Sequence, residues 1–486
     1  MELVVDDKVG GIANPAQLGK LPHIEDGNIV AMSWAYLEDA SGYRGFAEKI
    51  LIPRQESDLL EIVDQARRSK TPLTIAGAGS GITGGRCPDG GWLVSMEKFT
   101  KLEIQTGLAI CGAGVSLKDL HAAARRSGQF YPPDPTETLA AIGGTIACNA
   151  SGSRSFQYGA TRRWIERLRV ALMDGRVLDV RRGDRIDFDV PEIPQPQARK
   201  HSAGYPLAPG MDWVDLFTGS EGTLGIVIEA SLKLLPSPKE ILSGLVFFRS
   251  EDDALDALDD WRSVAGLRML EYIDRDALEL IRTRYPEIPT DSGGALIIEQ
   301  ENLEESEVDA WTERMRMHDA LEEVSWFGST DADRERFREF RHALPETVLG
   351  MVQQLKLMSL ISDFAVPIHQ HRELLRYCRK RLGEDYGGRH VVYGHVGDGH
   401  YHINLLPSNQ DEFAQGQRLL DEFTQKAVEM GGTVAAEHGI GKRKRDYLKY
   451  QYPPDQIEMM MEVKRRLDPD WLLGRGTLFA APVLAD

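Results

Sequence analysis

The sequence predicts a chain of mixed helix and strand, divided into two or three domains. Its 486 residues are more than one hydrophobic core usually serves. Residues 57–76 pass from the period of an amphipathic helix to a short strand, and residues 389–406 carry the pattern of a hairpin. With 42% apolar and 27% charged residues, the composition is that of a globular protein.

A formal charge of −18 argues against nonspecific nucleic-acid binding. The four cysteines, Cys87, Cys111, Cys148 and Cys378, are widely spaced without a CxxC. That spacing argues against disulfides, cysteine metal sites and an iron–sulfur cluster, and fits a reducing cytoplasm. The acidic start MELVVDDKVGG lacks a signal-peptide pattern, and no apolar stretch is long enough to span a bilayer. The expected location is cytoplasmic, with peripheral attachment to the inner membrane left open.

Ser57 is expected to cap a helix whose apolar face is Leu59, Leu60, Ile62, Val63 and Ala66. Pro72 opens the strand PLTIA, and the glycine loop Gly77–Gly85 follows. Gly79, Gly81 and Gly84 spell GxGxxG, but a Rossmann site needs a helix directly after the loop. Here RCPDGG follows and Pro88 denies one, so a Rossmann fold is rejected. The loop can still offer bare backbone N–H groups to phosphate oxygens. From Tyr131, YPPDPTETLAAIGGTIACNASGSRSFQYGATRRW keeps side chains small from Ala141 to Gly152. That suits close approach to a large flat ligand, or a tightly packed helix–strand corner. A third glycine-rich turn, from Phe217, precedes the apolar strand of FTGSEGTLGIVIEASLKLLP.

In GHVGDGHYHINLLP, from Gly394, Asp398 and Gly399 suit a two-residue turn. His395 would then lie opposite His402, and Tyr393 opposite Asn404. His395, His400, His402 and Asn404 would share a polar face, with Val392, Val396, Tyr401, Ile403 and Leu405 on the apolar one. Opposed Cβ atoms stand about 4.5–5.5 Å apart, which suits two imidazoles on one ion. In AAEHGIGKRKRDY, Glu437 and His438 offer a further ligand. Imidazole with carboxylate suits zinc, manganese or iron(II). The same set would serve a metal-dependent hydrolase, so it does not name the reaction. The run Lys442-Arg443-Lys444-Arg445 is read as a solvated helix face.

The ordered motifs IAGAGSGITGG, PPDP…AAIGGTIACNASG…YG and GSEGTLGIV closely resemble the FAD-binding domain of vanillyl-alcohol-oxidase-type flavoproteins. GHVGDGHYH, AEHGIG and LDPDWLLGRGTLF resemble the branch with D-lactate dehydrogenase, the glycolate oxidase flavoprotein subunit and D-2-hydroxyglutarate dehydrogenase. The resemblance implies an α+β fold. An FAD-binding domain of two α+β subdomains would occupy 1–236. A substrate and metal domain, with an antiparallel sheet covered by helices, would occupy 237–486. Its last segment, about 465–486, would return to the flavin.

It also implies roles. Gly77, Ala78, Gly79, Ser80 and Gly81 would hold the pyrophosphate, with Pro72 also at the cofactor. Pro133, Asp134, Gly143, Gly144, Asn149, Gly152 and Tyr158 would line the flavin. Glu221, Gly222 and Ile226 would lie near the adenine or isoalloxazine edge. Ser80 stands where some relatives carry a histidine bonded to FAD, so the FAD is expected to be noncovalent. His395, His402 and Glu437 would hold a divalent metal (zinc, manganese or iron). Asn404, Arg341 and Lys356 would contact substrate, and His438 would be the base. His400, where many relatives have Asn, is read as a neutral surface residue, with a spare ligand as the alternative. Arg475 replaces a common lysine. The implied reaction is oxidation of a D-2-hydroxy acid of the lactate, glycolate or 2-hydroxyglutarate type. A quinone, an electron-transfer protein or oxygen would accept the electrons, and a homo-oligomer or hetero-complex is left open.

Overall fold

Two main sheets and a two-stranded ladder, Gln129–Phe130 with Leu235–Pro236, lie in the N-terminal half, and one large sheet in the C-terminal half. The computed structural model describes residues 23–24, 34–301, 306–355 and 359–481. The first sheet is parallel and runs in the order His23–Ile24, Lys49–Leu51, Trp92–Ser95, Leu73–Ala76. The helix Glu56–Ser69 packs Leu59, Val63 and Ala66 into its core. Its cap corrects the expectation: Gln55 is the N-cap, and Ser57 already lies within the first turn. Asp58 secures the entry instead, accepting from the backbone N–H of Arg54 at 3.0 Å.

The second sheet has the order Leu102–Gln105, Leu108–Gly112, Ile226–Lys233, Ile165–Ala171, Val177–Arg181, all antiparallel. The third is antiparallel and seven-stranded: Trp326–Gly328, Ile241–Phe248, Gly294–Glu301, Leu267–Asp274, Arg389–Gly394, His402–Leu406, Leu360–Ile361. Alternation gives it two buried faces. Val246, Leu270 and Tyr272 pack with the helices Glu251–Trp261, His371–Asp385 and Gln410–Glu429. Leu245, Met269 and Ile273 pack with Arg275–Ile281 and the long helix Asp331–Leu355. The fold is thus α+β, and both faces of the large sheet are covered by helices.

The C-terminal segment returns to the first half. Leu472 and Leu473 join the core of the first sheet. Leu73 N–H donates to the Leu472 carbonyl, and Gly474 N–H to the Leu73 carbonyl, each at 2.8 Å. Lys464, only 1% exposed, anchors this return. Its ammonium donates to the carbonyls of Thr223 and Leu473 at 2.8 Å and to Asp468 at 2.5 Å.

Lys464→Met removes one charge of a buried pair and leaves Asp468 uncompensated. It should cost about 3–5 kcal/mol of stability, read by urea unfolding. A loss within the usual range of surface substitutions would show that the anchor carries little.

Candidate active site

The strand Leu73–Ala76 delivers the glycine loop, and the next strand begins only at Trp92 with no helix between them. The loop forms one wall of a cavity of about 320 Å³. The short helix Ile142–Ala147 and the turn Ser220–Ile226 form others. Gly77, Ala78, Gly79, Ser80, Gly81, Gly143, Gly144, Glu221, Gly222 and Ile226 all line it. Among the described residues, a Cβ added at Gly81, Gly144 or Gly222 would meet no other part of the chain within 4 Å. These positions therefore leave a cradle that side chains would fill, which fits a large cofactor.

Six residues expected at the cofactor stand outside the cavity lining. Pro72 precedes the strand, its carbonyl accepting from Trp92 N–H at 2.8 Å. Pro133 is buried behind the wall, and Asp134 pairs with Arg154 at 3.2 Å. Asn149 accepts from Arg162 N–H at 2.9 Å. A Cβ on Gly152 would lie 1.9 Å from the Asp134 carbonyl, so this glycine serves a backbone crossing. The Tyr158 hydroxyl donates to Glu301 at 2.5 Å. Arg86, which the sequence reading did not single out, lines the cavity and donates to the Gly77 carbonyl at 3.1 Å.

The hairpin corrects its expected register. Tyr393 pairs with His402 and Val391 with Asn404, and residues 395–401 form the connection, with a 3₁₀ turn at Val396–Asp398. The slip is two residues, so each side chain keeps its face. His395 and His402 are nevertheless close, their ring centroids 5.3 Å apart. His400 is the larger correction: it is 0% exposed, not a surface residue. Ligand atoms of His395, His400, His402 and Glu437 all lie within 4.8 Å of one another. This donor set of imidazole and carboxylate fits a first-row divalent ion.

Surrounding groups fix the tautomers. His395 Nδ1 donates to Glu271 Oε1 at 2.6 Å, which turns Nε2 toward Glu437 Oε1, 3.3 Å away. His402 Nδ1 faces the Ser362 carbonyl at 3.4 Å, with Nε2 3.3 Å from the same Glu437 oxygen. Glu437 Oε2 takes Lys200 at 3.1 Å and Ser151 at 3.0 Å. Such outer partners set ring orientation and ligand basicity.

Arg341, on the long helix, is mostly buried. Its guanidinium grips Glu271 at 2.5 and 3.0 Å and also reaches Thr136 at 3.1 Å. Burial raises the Glu271 pKa, but Arg341 and His395 outweigh it and hold the carboxyl well below the usual range. Glu271 was missed because nothing around it in YID marks a site; only strand pairing brings it to the histidines. Asn404 is buried, its amide facing the His402 carbonyl at 3.4 Å. Lys356 lies outside the described residues.

His438 stacks on His402 at 5.5 Å and lines the cavity together with Glu437. Burial holds its pKa below the ordinary imidazole value, favouring the neutral ring. Asp363 Oδ1 stands 3.3 Å from its Nδ1. The basic run beyond it is not a solvated helix face. Lys442 is buried and donates to Thr477 at 3.0 Å, Arg443 to the Ile82 carbonyl at 3.0 Å, and Lys444 to Asp363 at 2.5 Å. Burial pushes the Glu221 carboxyl up to about 7, although it accepts from the N–H groups of Ile440 and Gly441 at 2.8 and 2.6 Å.

Residues 47–181 match the model of an FAD-binding domain, and residues 237–478 match that of the C-terminal domain of FAD-linked oxidases. The chain is 30% identical to glycolate oxidase subunit GlcD of Escherichia coli over 90% of its length and 84% of that protein's. It is 29% identical to a D-lactate dehydrogenase of Archaeoglobus fulgidus, covering 88% and 90% of the two chains. Identity to a D-2-hydroxyglutarate dehydrogenase of Stutzerimonas stutzeri is 26%, over 89% and 91%.

Gly144→Leu places a side chain in the open cradle. The variant should fold but be purified with little flavin absorbance; wild-type yellow colour would show that Gly144 does not face the cofactor. Glu271→Gln should keep flavin while weakening metal retention about 10–100-fold in chelator competition. Unchanged retention would limit Glu271 to holding the long helix.

Proposed function

The chain belongs to the FAD-linked oxidase family, and on that premise we propose that it oxidises a D-2-hydroxy acid to the 2-oxo acid. The observation that carries the reading is a shared border. Glu437 and His438 line the cofactor cavity, while Glu437 is also a member of the histidine cluster. Among the described residues no helix is long and apolar enough to cross a membrane.

When bound, FAD would accept the substrate's hydride and a divalent ion would polarise its hydroxyl. Gly77 to Gly81 would hold the diphosphate, and His395, His402 and Glu437 the ion. The substrate carboxylate would meet the Arg341 guanidinium by a charge-assisted bond, with Lys356 and Asn404 as further contacts. His438, neutral and beside the cavity, would take the hydroxyl proton as the Cα–H bond breaks. Ser80 offers no imidazole for a flavin bond, so acid precipitation should release the colour.

Electrons must then leave the flavin. A quinone, an electron-transfer protein or oxygen would accept them. The name of the glycolate oxidase relative supports a second reading, a flavoprotein subunit of a larger electron-transfer complex. We place the domain boundary at 236/237, with the C-terminal segment returning to the first domain. The proposed location is cytoplasmic, with peripheral attachment to the inner membrane as the alternative.

Anaerobic addition of D-lactate, glycolate or D-2-hydroxyglutarate should bleach the flavin, whereas the L-acids should not. His438→Ala should keep its flavin and slow this bleaching roughly 10²–10⁴-fold. Bleaching by none of these acids would refute the reaction, and an unimpaired His438→Ala would refute its role.

A further inference from the structure

We propose that His400 is a fourth protein ligand, so that the divalent ion sits among three imidazoles and one carboxylate. The proposal rests on the reading of the cluster as a metal centre and deepens it. His400 is 0% exposed, and among the described residues neither of its ring nitrogens has a hydrogen-bond partner. A neutral imidazole carries one donor and one acceptor, and burying both without partners is costly. The nearest carboxylate does not relieve this. Asp363 Oδ1 stands 3.6 Å from His400 Nε2, beyond hydrogen-bond reach. Asp363 is also engaged elsewhere: it faces the N–H groups of Glu437 and His438 at 3.2 Å and Lys444 Nζ at 2.5 Å.

The backbone fixes where this ring points. Val366 N–H donates to the Gly399 carbonyl at 3.0 Å, and His400 N–H to the His395 carbonyl at 3.3 Å. Gly399 has φ +74°, and a Cβ there would lie 2.4 Å from the Val366 carbonyl. The chain thus crosses at Gly399 at a distance only glycine permits, and this seats His400 with its ring centroid 4.4 Å from that of His402. Two nitrogens on opposite sides of an ion, each about 2.1 Å from it, are about 4.2 Å apart. The four donor atoms, all within 4.8 Å of one another, surround a space that one ion could share.

Coordination number follows. Zinc with four protein donors is ordinarily a closed tetrahedral site. A 2-hydroxy acid brings two more oxygens, which makes six. The site therefore suits an ion at ease with six donors, such as manganese(II) or iron(II), rather than zinc.

The test uses the FAD-loaded protein, stripped of metal and titrated with Mn²⁺ while the EPR signal of free Mn²⁺ is followed. His400→Ala and His400→Phe should both weaken binding by about 10–100-fold or more, because losing a ligand costs at least as much as losing an outer partner. Flavin absorbance should be unchanged in both. Phe fills the ring's volume without a nitrogen, so weakening by Ala alone would assign His400 to packing and overturn the proposal. Wild-type affinity in both variants would also overturn it. Should either variant lose its flavin, the other decides. A wild-type protein that binds neither Mn²⁺ nor Zn²⁺ would refute the metal centre itself, while anaerobic bleaching by hydroxy acids tests the flavin reaction separately.

Discussion

The backbone from Ala436 to Lys444 is held by hydrogen bonds at every N–H group, and the rest of the site depends on it. Asp363, from the large sheet's side, takes Ala436 on its carbonyl and Glu437 and His438 on its carboxylate. Ser202 takes Gly439 at 3.2 Å, and the two Glu221 oxygens take Ile440 and Gly441. The Thr83 carbonyl, inside the glycine loop, accepts from both Lys442 and Arg443. Lys444 closes the turn on Ile440. One short segment is therefore pinned at once by the large sheet, by the turn beside the second sheet and by the cofactor loop. A one-residue change in its path would move Glu437 out of the histidine cluster and His438 away from the cavity wall together. That is how two halves of the chain, each with its own core, come to share one site.

This arrangement explains which features were legible in the sequence. The glycine segments were, because a backbone that must stay bare leaves a compositional mark: Gly81, Gly144 and Gly222 face open space where a Cβ would stand. Gly152 carries the same mark for another reason, a crossing over the Asp134 carbonyl. Glycine reports close approach without saying what approaches. The hairpin faces were legible too, since a period of two survives a slip of two; the register was not, because Asp398-Gly399 closes a longer connection than the two-residue turn it usually marks.

What was not legible depends on long-range pairing. Four consecutive basic residues look like a solvated face until Thr477, Ile82 and Asp363 supply acceptors from far along the chain. Glu271 carries no local motif, yet strand pairing and the long helix set it between His395 and Arg341. Pro345 lies inside that helix and removes the N–H that would bond the Arg341 carbonyl. The Arg341 side chain is held by its bidentate grip on Glu271 and by Thr136.

Charge bookkeeping around the cluster gives these pairings a purpose. The carboxylates there have cations beside them: Glu271 has Arg341, Asp363 has Lys444, and Lys200 lies between Glu437 and Asp398, which also meets Arg199. The protein frame is therefore close to neutral before any ion enters, which limits the penalty of burying these carboxylates together. An added divalent ion would bring two charges that the frame does not cancel. In the proposed reaction a 2-hydroxy acid would bring one negative charge at its carboxylate, and passing its hydroxyl proton to His438 would separate charge within the site without changing the total. Within that constant total, a cation beside the hydroxyl oxygen would favour the alkoxide over the alcohol, where stabilisation lowers the barrier and does not merely tighten binding. Removing Lys200 or Lys444 would leave a negative frame that holds a cation more strongly and a developing alkoxide less well.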